Sequence, residues 1–351
     1  MAKSLVTGGA GFMGAHVART LLDRGYDVVV LDDLSGGFSA NVPSGAKLIE
    51  GSITDDLLVS RIFAAEKFDY VYHLAAYAAE GLSHFIKRFN YSNNVLGSVT
   101  LINAAVNHDV SCFVFTSSIA VYGAGQLPMV EALRPEPEDS YGIAKFTVEQ
   151  ELEVSKKMFD LDYVIFRPHN VYGELQNIGD RYRNVLGIFM NQILNDQPLS
   201  IFGDGEQTRA FSYIRDIAPT IADAPEIAEA RCEVFNIGAD VPYTINHLAQ
   251  AVKSAMGVPD HPIDHLDARS EVKHAFSDHT KAEKVFGRHA STSLDDGVAR
   301  MTEWVKGHGA QPPSRFSDIE IRRNLPPSWD EDAPERAAHA EARADPMRPS
   351  D

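Results

Sequence analysis

Eight residues near the start of the chain, Thr7-Gly8-Gly9-Ala10-Gly11-Phe12-Met13-Gly14, restrict the fold more than any other segment. They follow a short β-rich run at residues 4–7 and open a stretch with helical spacing at 13–24. Three glycines at this spacing between a strand and a helix have separate tasks. Gly8 permits a tight turn, Gly11 lets the backbone approach a diphosphate, and Gly14 lets the helix lie close to the strand. The helix N-terminus then presents unpaired N–H groups to that anion. Asp32 ends the next strand pattern, 18 residues beyond Gly14. A carboxylate there accepts both hydroxyls of an adenosine ribose and repels a 2′-phosphate, which favours NAD over NADP. Asp33 is the adjacent candidate, and strand alternation does not choose between the two.

The rest of the first two thirds repeats the same grammar. Short apolar, β-rich runs at 28–32, 47–51, 70–74, 112–117 and 163–167 alternate with helical spacing at 94–107 and 143–158, and a late run at 234–237 returns to the same sheet. Continuous apolar strands alternating with helices predict an α/β fold, a doubly wound parallel sheet of Rossmann type. Residues 171–205 are different, rich in Asn, Gly and Asp around one helix-like run at 185–194, and 241–308 read as short helices and loops. The predicted organisation is a dinucleotide-binding domain of residues 1–170 plus about 211–240. A smaller α/β lobe follows from about 171–210 and 241–308, and a polar, proline-rich tail from 311–351. From 330 onward the tail has little to bury and is expected to be mobile or draped on the surface.

Composition removes several classes of function. Asp and Glu number 49 against 32 Lys and Arg, a formal charge of −17, unsuited to wrapping nucleic acid or lying on anionic lipid. Any anionic ligand must therefore be met by locally converging basic residues. Two cysteines, Cys112 and Cys232, are too few for a disulfide framework or a structural zinc site. The histidines at 261, 265, 274, 279 and 289 form no metal-ligand spacing, so no metal is expected. No leader pattern and no apolar run of about 18 residues is present, so a cytoplasmic location is expected.

Tyr141-Gly142-Ile143-Ala144-Lys145 opens a predicted helix and puts Tyr141 and Lys145 on one face. A phenol titrates near 10 and needs a nearby cation to act as a base at neutral pH; Lys145 supplies one. Upstream, Thr116-Ser117-Ser118 ends the fifth strand. Strand C-termini in such sheets face the ligand crevice, so Ser118 is placed to relay a proton between Tyr141 and a substrate hydroxyl. Glu149, Glu151 and Glu153 read as a solvated helix face.

Together with His73-Leu74-Ala75-Ala76, Asn93-Asn94-Val95-Leu96-Gly97 and Arg167-Pro168-His169-Asn170, these motifs resemble the extended short-chain dehydrogenase/reductases, in the branch of NAD-dependent nucleotide-sugar epimerases and dehydratases. The resemblance runs from Lys3 to about Gly307; the tail after Gln311 has no evident counterpart. It implies NAD contacts from Gly8, Gly11, Phe12, Met13, Gly14, Asp32, Ser52, Ile53, Leu74, Ala75, Ala76, Asn94, Ser117, Tyr141, Lys145 and Pro168. It implies a nucleotide-sugar site of Ser118, Tyr141, Asn170, Asn184, Phe202, Arg209, Arg269 and Ala275. Here the two asparagines and two arginines grip the diphosphate, Phe202 packs on the base, and Ala275 is a small gate residue that admits N-acetyl groups. Two departures stand out: Ser52 where the family usually has Asp, and Ala78 where many members have Lys, both weakening the hold on NAD. The family commonly forms homodimers through the helices around 94–107 and 143–158, where Ala104, Ala105, Phe146 and Leu152 suit such packing.

The dehydratases of this branch carry an acidic pair after the serine, whereas this chain has Ile119 and Ala120. Without a carboxylic acid there to expel a hydroxyl, dehydration is disfavoured. The expected reaction is 4-epimerisation of a UDP-hexose, glucose to galactose, through a 4-keto sugar. The alternatives are 4-epimerisation or decarboxylation of UDP-glucuronate, reduction of a 4-keto sugar, and a non-catalytic dinucleotide sensor.

Overall fold

The apolar runs form one sheet. The computed structural model, which describes residues 2–268, 272–314 and 316–330, has β1 (Lys3–Thr7), β2 (Asp27–Asp32), β3 (Lys47–Glu50), β4 (Tyr70–His73), β5 (Cys112–Thr116) and β6 (Tyr163–Pro168), joined by a late strand, Glu233–Ile237. Their order across the sheet is Glu233–Ile237, β6, β5, β4, β1, β2, β3, and every adjacent pair is parallel. Chain order reverses between β1 and β4. In a sheet of this kind that switch point opens a crevice beyond the strand C-termini.

Side-chain alternation divides the core. Val6, Val28, Val30, Tyr72, Val114 and Phe166 point to one face, where they meet Val17 and Leu21 of the first helix, Phe12–Asp23. Leu5, Val29, Leu31, Val71, Phe113 and Ile165 point to the other, against Ile62, Phe63, Leu101, Ala105, Val148 and Leu152. Burial on both faces explains why these strands read as continuous apolar runs. The first cluster continues through Phe189, Ile217, Leu248 and Val305, so the later segments share one hydrophobic core with the sheet.

Outside the sheet the sequence was less legible. The reach from 241 to 308, read as short helices and loops, contains helices of 12 and 15 residues, Ile245–Met256 and Leu294–His308. Leu199–Phe202 pairs in parallel with Ile263–Leu266, and Thr208–Ala210 lies between Pro242–Thr244 and His274–Ala275. The helix expected at 143–158 spans Ser140–Phe159, its start capped by the Asp139 carboxylate, which accepts from Gly142 N. The helix expected at 94–107 is Gly97–Asn107, preceded by a π-turn over Ser92–Leu96. Among the described residues, no helix is long and apolar enough to cross a membrane.

Candidate active site

The cleft lies at the switch point, with a volume of about 1530 Å³. Gly8 (φ +69°) and the segment after β4 meet at its floor, where a Cβ on Gly8 would stand 2.7 Å from Ala75 N. A Cβ on Gly14 would lie 2.1 Å from Gly8 O, so the first helix touches the turn as closely as the sequence required. A Cβ on Gly11 would meet only Gly8 O at 3.1 Å and otherwise faces open cleft. Gly11 also begins the first helix, which has no side-chain cap and no acid in its first turn. Its leading N–H groups are therefore left for an anion. Asp32 is buried, its carboxylate accepting from Ala10 N at 2.9 Å and Leu34 N at 2.8 Å. Asp32 also lines the cleft, and a carboxylate has capacity for acceptance beyond these bonds. Burial raises its pKa.

Tyr141, Lys145 and Ser118 converge on the same cleft. Burial pushes the Tyr141 phenol well above its ordinary pKa, and the neighbouring Ser118 side chain opposes that shift. Lys145 Nζ donates to Thr116 O at 2.7 Å and lies 5.7 Å from the centre of the Tyr141 ring. Burial pushes the Lys145 ammonium down to about 7, against the opposing pull of Glu149. The backbone around Tyr141 is tied to the segment after β4: Tyr141 N donates to Ser83 Oγ and Asn90 Nδ2 to Ser140 O.

Phe12, Met13, Ile53, Leu74, Ala75, Ala76, Ser117 and Pro168 line the cleft as expected, and so do Asn170, Asn184, Phe202 and Arg209. Asn170 (φ +41°) and Asn184 (φ +63°) both take left-handed backbone, which asparagine tolerates better than most residues. Asn184 precedes the helix Val185–Leu194 without capping it through its side chain. The Arg209 guanidinium donates to the carbonyls of Thr208, Val272 and Lys273. Arg269 lies outside the described residues.

Other sites fall elsewhere than the sequence suggested. Ser52 does not line the cleft; its hydroxyl hydrogen-bonds Thr54 Oγ1 at 2.8 Å. Asn94 sits behind the wall, accepting from Tyr77 N at 3.0 Å and donating to Tyr77 O at 3.1 Å, so it positions the Leu74–Tyr77 backbone. Ala275 is off the cleft, buried among Ile119, Val121, Tyr122 and Met129. Glu149 is not on a solvated face. It is buried in an ion pair with Arg167, whose Nε donates to Oε1 at 2.9 Å, and it accepts from Ser117 Oγ. His73 and His169 are packed rather than ligand-facing. His73 joins Thr7 Oγ1 to Ser98 Oγ, and His169 joins Ala210 O to His279; burial pushes both imidazoles down to about 3. Ala104, Ala105 and Leu152 are spent in the core. The outward large apolar residues of the Ser140–Phe159 helix are Ile143, Val154, Met158 and Phe159. Tyr77, Glu80 and Arg183 line the cleft but were not singled out; Arg183 sits 5.2 Å over the Tyr77 ring.

A family model described as the NAD dependent epimerase/dehydratase family matches residues 4–238. The chain belongs to this family. A relative named as a putative UDP-glucose 4-epimerase from Methanocaldococcus jannaschii is 32% identical over 306 residues, covering 87% of this chain and 98% of that protein. The UDP-glucose 4-epimerase of Thermotoga maritima, solved with UDP-glucose, superposes with a TM-score of 0.83 at 33% identity, covering 87% of this chain and 99% of that one. The UDP-glucuronic acid 4-epimerase of Bacillus cereus, solved with UDP-glucuronic acid and NAD, has a TM-score of 0.80 at 30% identity, with 87% and 99% covered. NAD is the family's cofactor, and this cleft fits it. The open face of Gly11, the uncapped helix start and the Asp32 carboxylate match a diphosphate and a ribose in turn.

Proposed function

We propose that the protein interconverts the C4 epimers of a UDP-hexose, UDP-glucose and UDP-galactose. The observation that carries this reading is the convergence of Tyr141, Ser118 and Lys145 on one cleft. When bound, NAD supplies a reversible two-electron oxidation of a sugar carbon. Gly8, Gly11, Gly14 and Asp32 hold it at one end, and Lys145 and Ser117 at the other. Tyr141 takes the proton from the C4 hydroxyl, and Ser118 passes it along and holds that oxygen. Lys145, as the ammonium, lowers the cost of the Tyr141 phenolate. Asn170, Asn184, Arg209 and Arg269 grip the diphosphate while Phe202 packs on the base. The sugar, held only at its far end, then turns its other face, and Tyr141 returns the proton to O4. The absence of an acid at Ile119 and Ala120 supports epimerisation over dehydration.

The test incubates NAD-saturated protein with UDP-galactose, UDP-N-acetylgalactosamine or UDP-glucuronate and resolves the products by chromatography. Conversion of UDP-galactose to UDP-glucose is expected. A protein that converts only UDP-glucuronate moves the substrate assignment to the uronic acid, which the similarity to the B. cereus enzyme favours as second reading. No conversion of any sugar refutes epimerisation. With Ala275 buried away from the cleft, N-acetyl tolerance has to be read from the second sugar directly. Ile143, Val154 and Met158 on the outer helix face support a homodimer, which light scattering tests.

A further inference from the structure

The described part of the polar, proline-rich tail, residues 311–314 and 316–330, is packed onto the cleft. Gln311 and Asn191 exchange two hydrogen bonds, and Ser314 N donates to Gly179 O at 2.7 Å. The Phe316 ring packs edge-on to Phe89 and against Tyr77, with centroids 4.9 and 5.4 Å away. The Glu320 carboxylate accepts from Arg88 N and Phe89 N at 2.8 and 2.9 Å, capping the helix Lys87–Tyr91 from a distant part of the chain. Trp329 is buried against Phe85 and Tyr182, and Ser328 O accepts from Arg181. The segment thus spans from the 77–91 region, whose Ser83 bonds Tyr141 N, to the 177–184 region beside Asn184. Between these anchors Arg323, Asn324, Leu325 and Trp329 line the same cleft as Tyr141 and Ser118. Arg323 is exposed and has no hydrogen-bond or ion-pair partner among the described residues. The neighbouring Asn324 takes left-handed backbone (φ +62°). The T. maritima and B. cereus enzymes are covered to 99% by 87% of this chain. The eighth left over is about the size of the segment from Gln311 to the end.

We propose that residues 316–329 are a substrate-binding strap, a fixed outer wall of the nucleotide-sugar site in which Arg323 binds an anionic oxygen of the substrate. The anchors hold the strap's backbone in place, and a guanidinium carried on that cleft wall suits phosphate or carboxylate oxygens. Those two sources share one chemistry and separate experimentally. This inference rests on the nucleotide-sugar reading above.

The experiment uses the full chain loaded with NAD. Arg323→Gln carries no structural bond and is expected to unfold with wild type. If the anion is phosphate, the variant raises KM for UDP-galactose and UDP-glucuronate, and the dissociation constant of UDP, about 10-fold alike, the size of one charge-assisted hydrogen bond. If it is a sugar carboxylate, only UDP-glucuronate weakens. Unchanged constants for all three ligands overturn the role of Arg323. A second measurement is independent of activity. Trp304 and Trp329 are the two tryptophans. In a Trp304→Phe background the emission of Trp329 should shift on titration with UDP-galactose, and it should do so less when Glu320→Ala unhooks the strap. Emission indifferent to the nucleotide sugar overturns the wall. If wild type epimerises nothing, the functional reading fails, while the UDP and fluorescence arms still report on the strap.

Discussion

Removing the carboxylate of Glu149 exposes how the catalytic helix is held to the sheet. Glu149 and Arg167 have side chains only 3% and 5% exposed. Arg167 also donates to Tyr122 OH at 2.8 Å, and Tyr122 passes the chain on to Asn236. Glu149→Ala leaves a buried guanidinium without its counter-charge and the Ser117 hydroxyl without its acceptor. Breaking such a pair from one side costs about 3–5 kcal/mol. A chain of 351 residues unfolds with an entropy on the order of 0.7 kcal/mol/K, at about 2.1 cal/mol/K per residue. The midpoint should therefore fall by about 4–7 °C. The double variant Glu149→Leu/Arg167→Met removes both charges at once and should recover most of that loss. Thermal scans by circular dichroism on the three proteins supply the comparison. A Glu149→Ala midpoint within about 1 °C of wild type would falsify the reasoning, because it would mean that the pair is solvated or replaceable.

The other predictions concern the cleft. Lys145 has a folded-state pKa of about 7 against an ordinary 10.5, so between those values the unfolded chain binds more protons and stability rises with pH. In cofactor-free protein, Lys145→Met should accordingly stabilise most at pH 6 and least near pH 10, and a pH-independent difference in midpoint refutes this. Tyr141→Phe should lower kcat by about 100-fold or more while leaving the UDP dissociation constant unchanged; a matching loss in UDP binding would point to misfolding instead. Gly14→Ala forces a methyl to 2.1 Å from Gly8 O and should weaken NAD binding by about 10-fold or more as the helix shifts away, read by calorimetric titration.

Much of this molecule follows from local pattern. The central strands were legible because burial on both faces turns them into continuous apolar runs, as in Asp27–Asp32 and Cys112–Thr116, while the edge strand Lys47–Glu50 is only half-buried. The Gly8–Gly11–Gly14 turn and the Tyr141/Lys145 pair were legible because their spacing carries their geometry, within one turn or one helix. What tertiary structure alone decided concerns residues whose meaning depends on distant partners. Glu149 reads as one more acid on a charged helix until β6 brings Arg167 against it. Asn94 reads as a cofactor contact until Tyr77 folds over it. Ala275 falls three residues beyond Val272, the last residue of its segment on the cleft, and turns into the Ile119–Met129 cluster instead. The strap is the clearest case. Phe316, Leu325 and Trp329 have neither helical nor strand period, so no amphipathic signal marks them. Their burial is created by side chains some 140 to 250 residues away along the chain, the aromatic Tyr182, Phe85 and Tyr77 and the aliphatic Leu82 and Ile86. A periodic element announces its buried face in its own sequence, whereas an irregular segment buries only what its neighbours offer it.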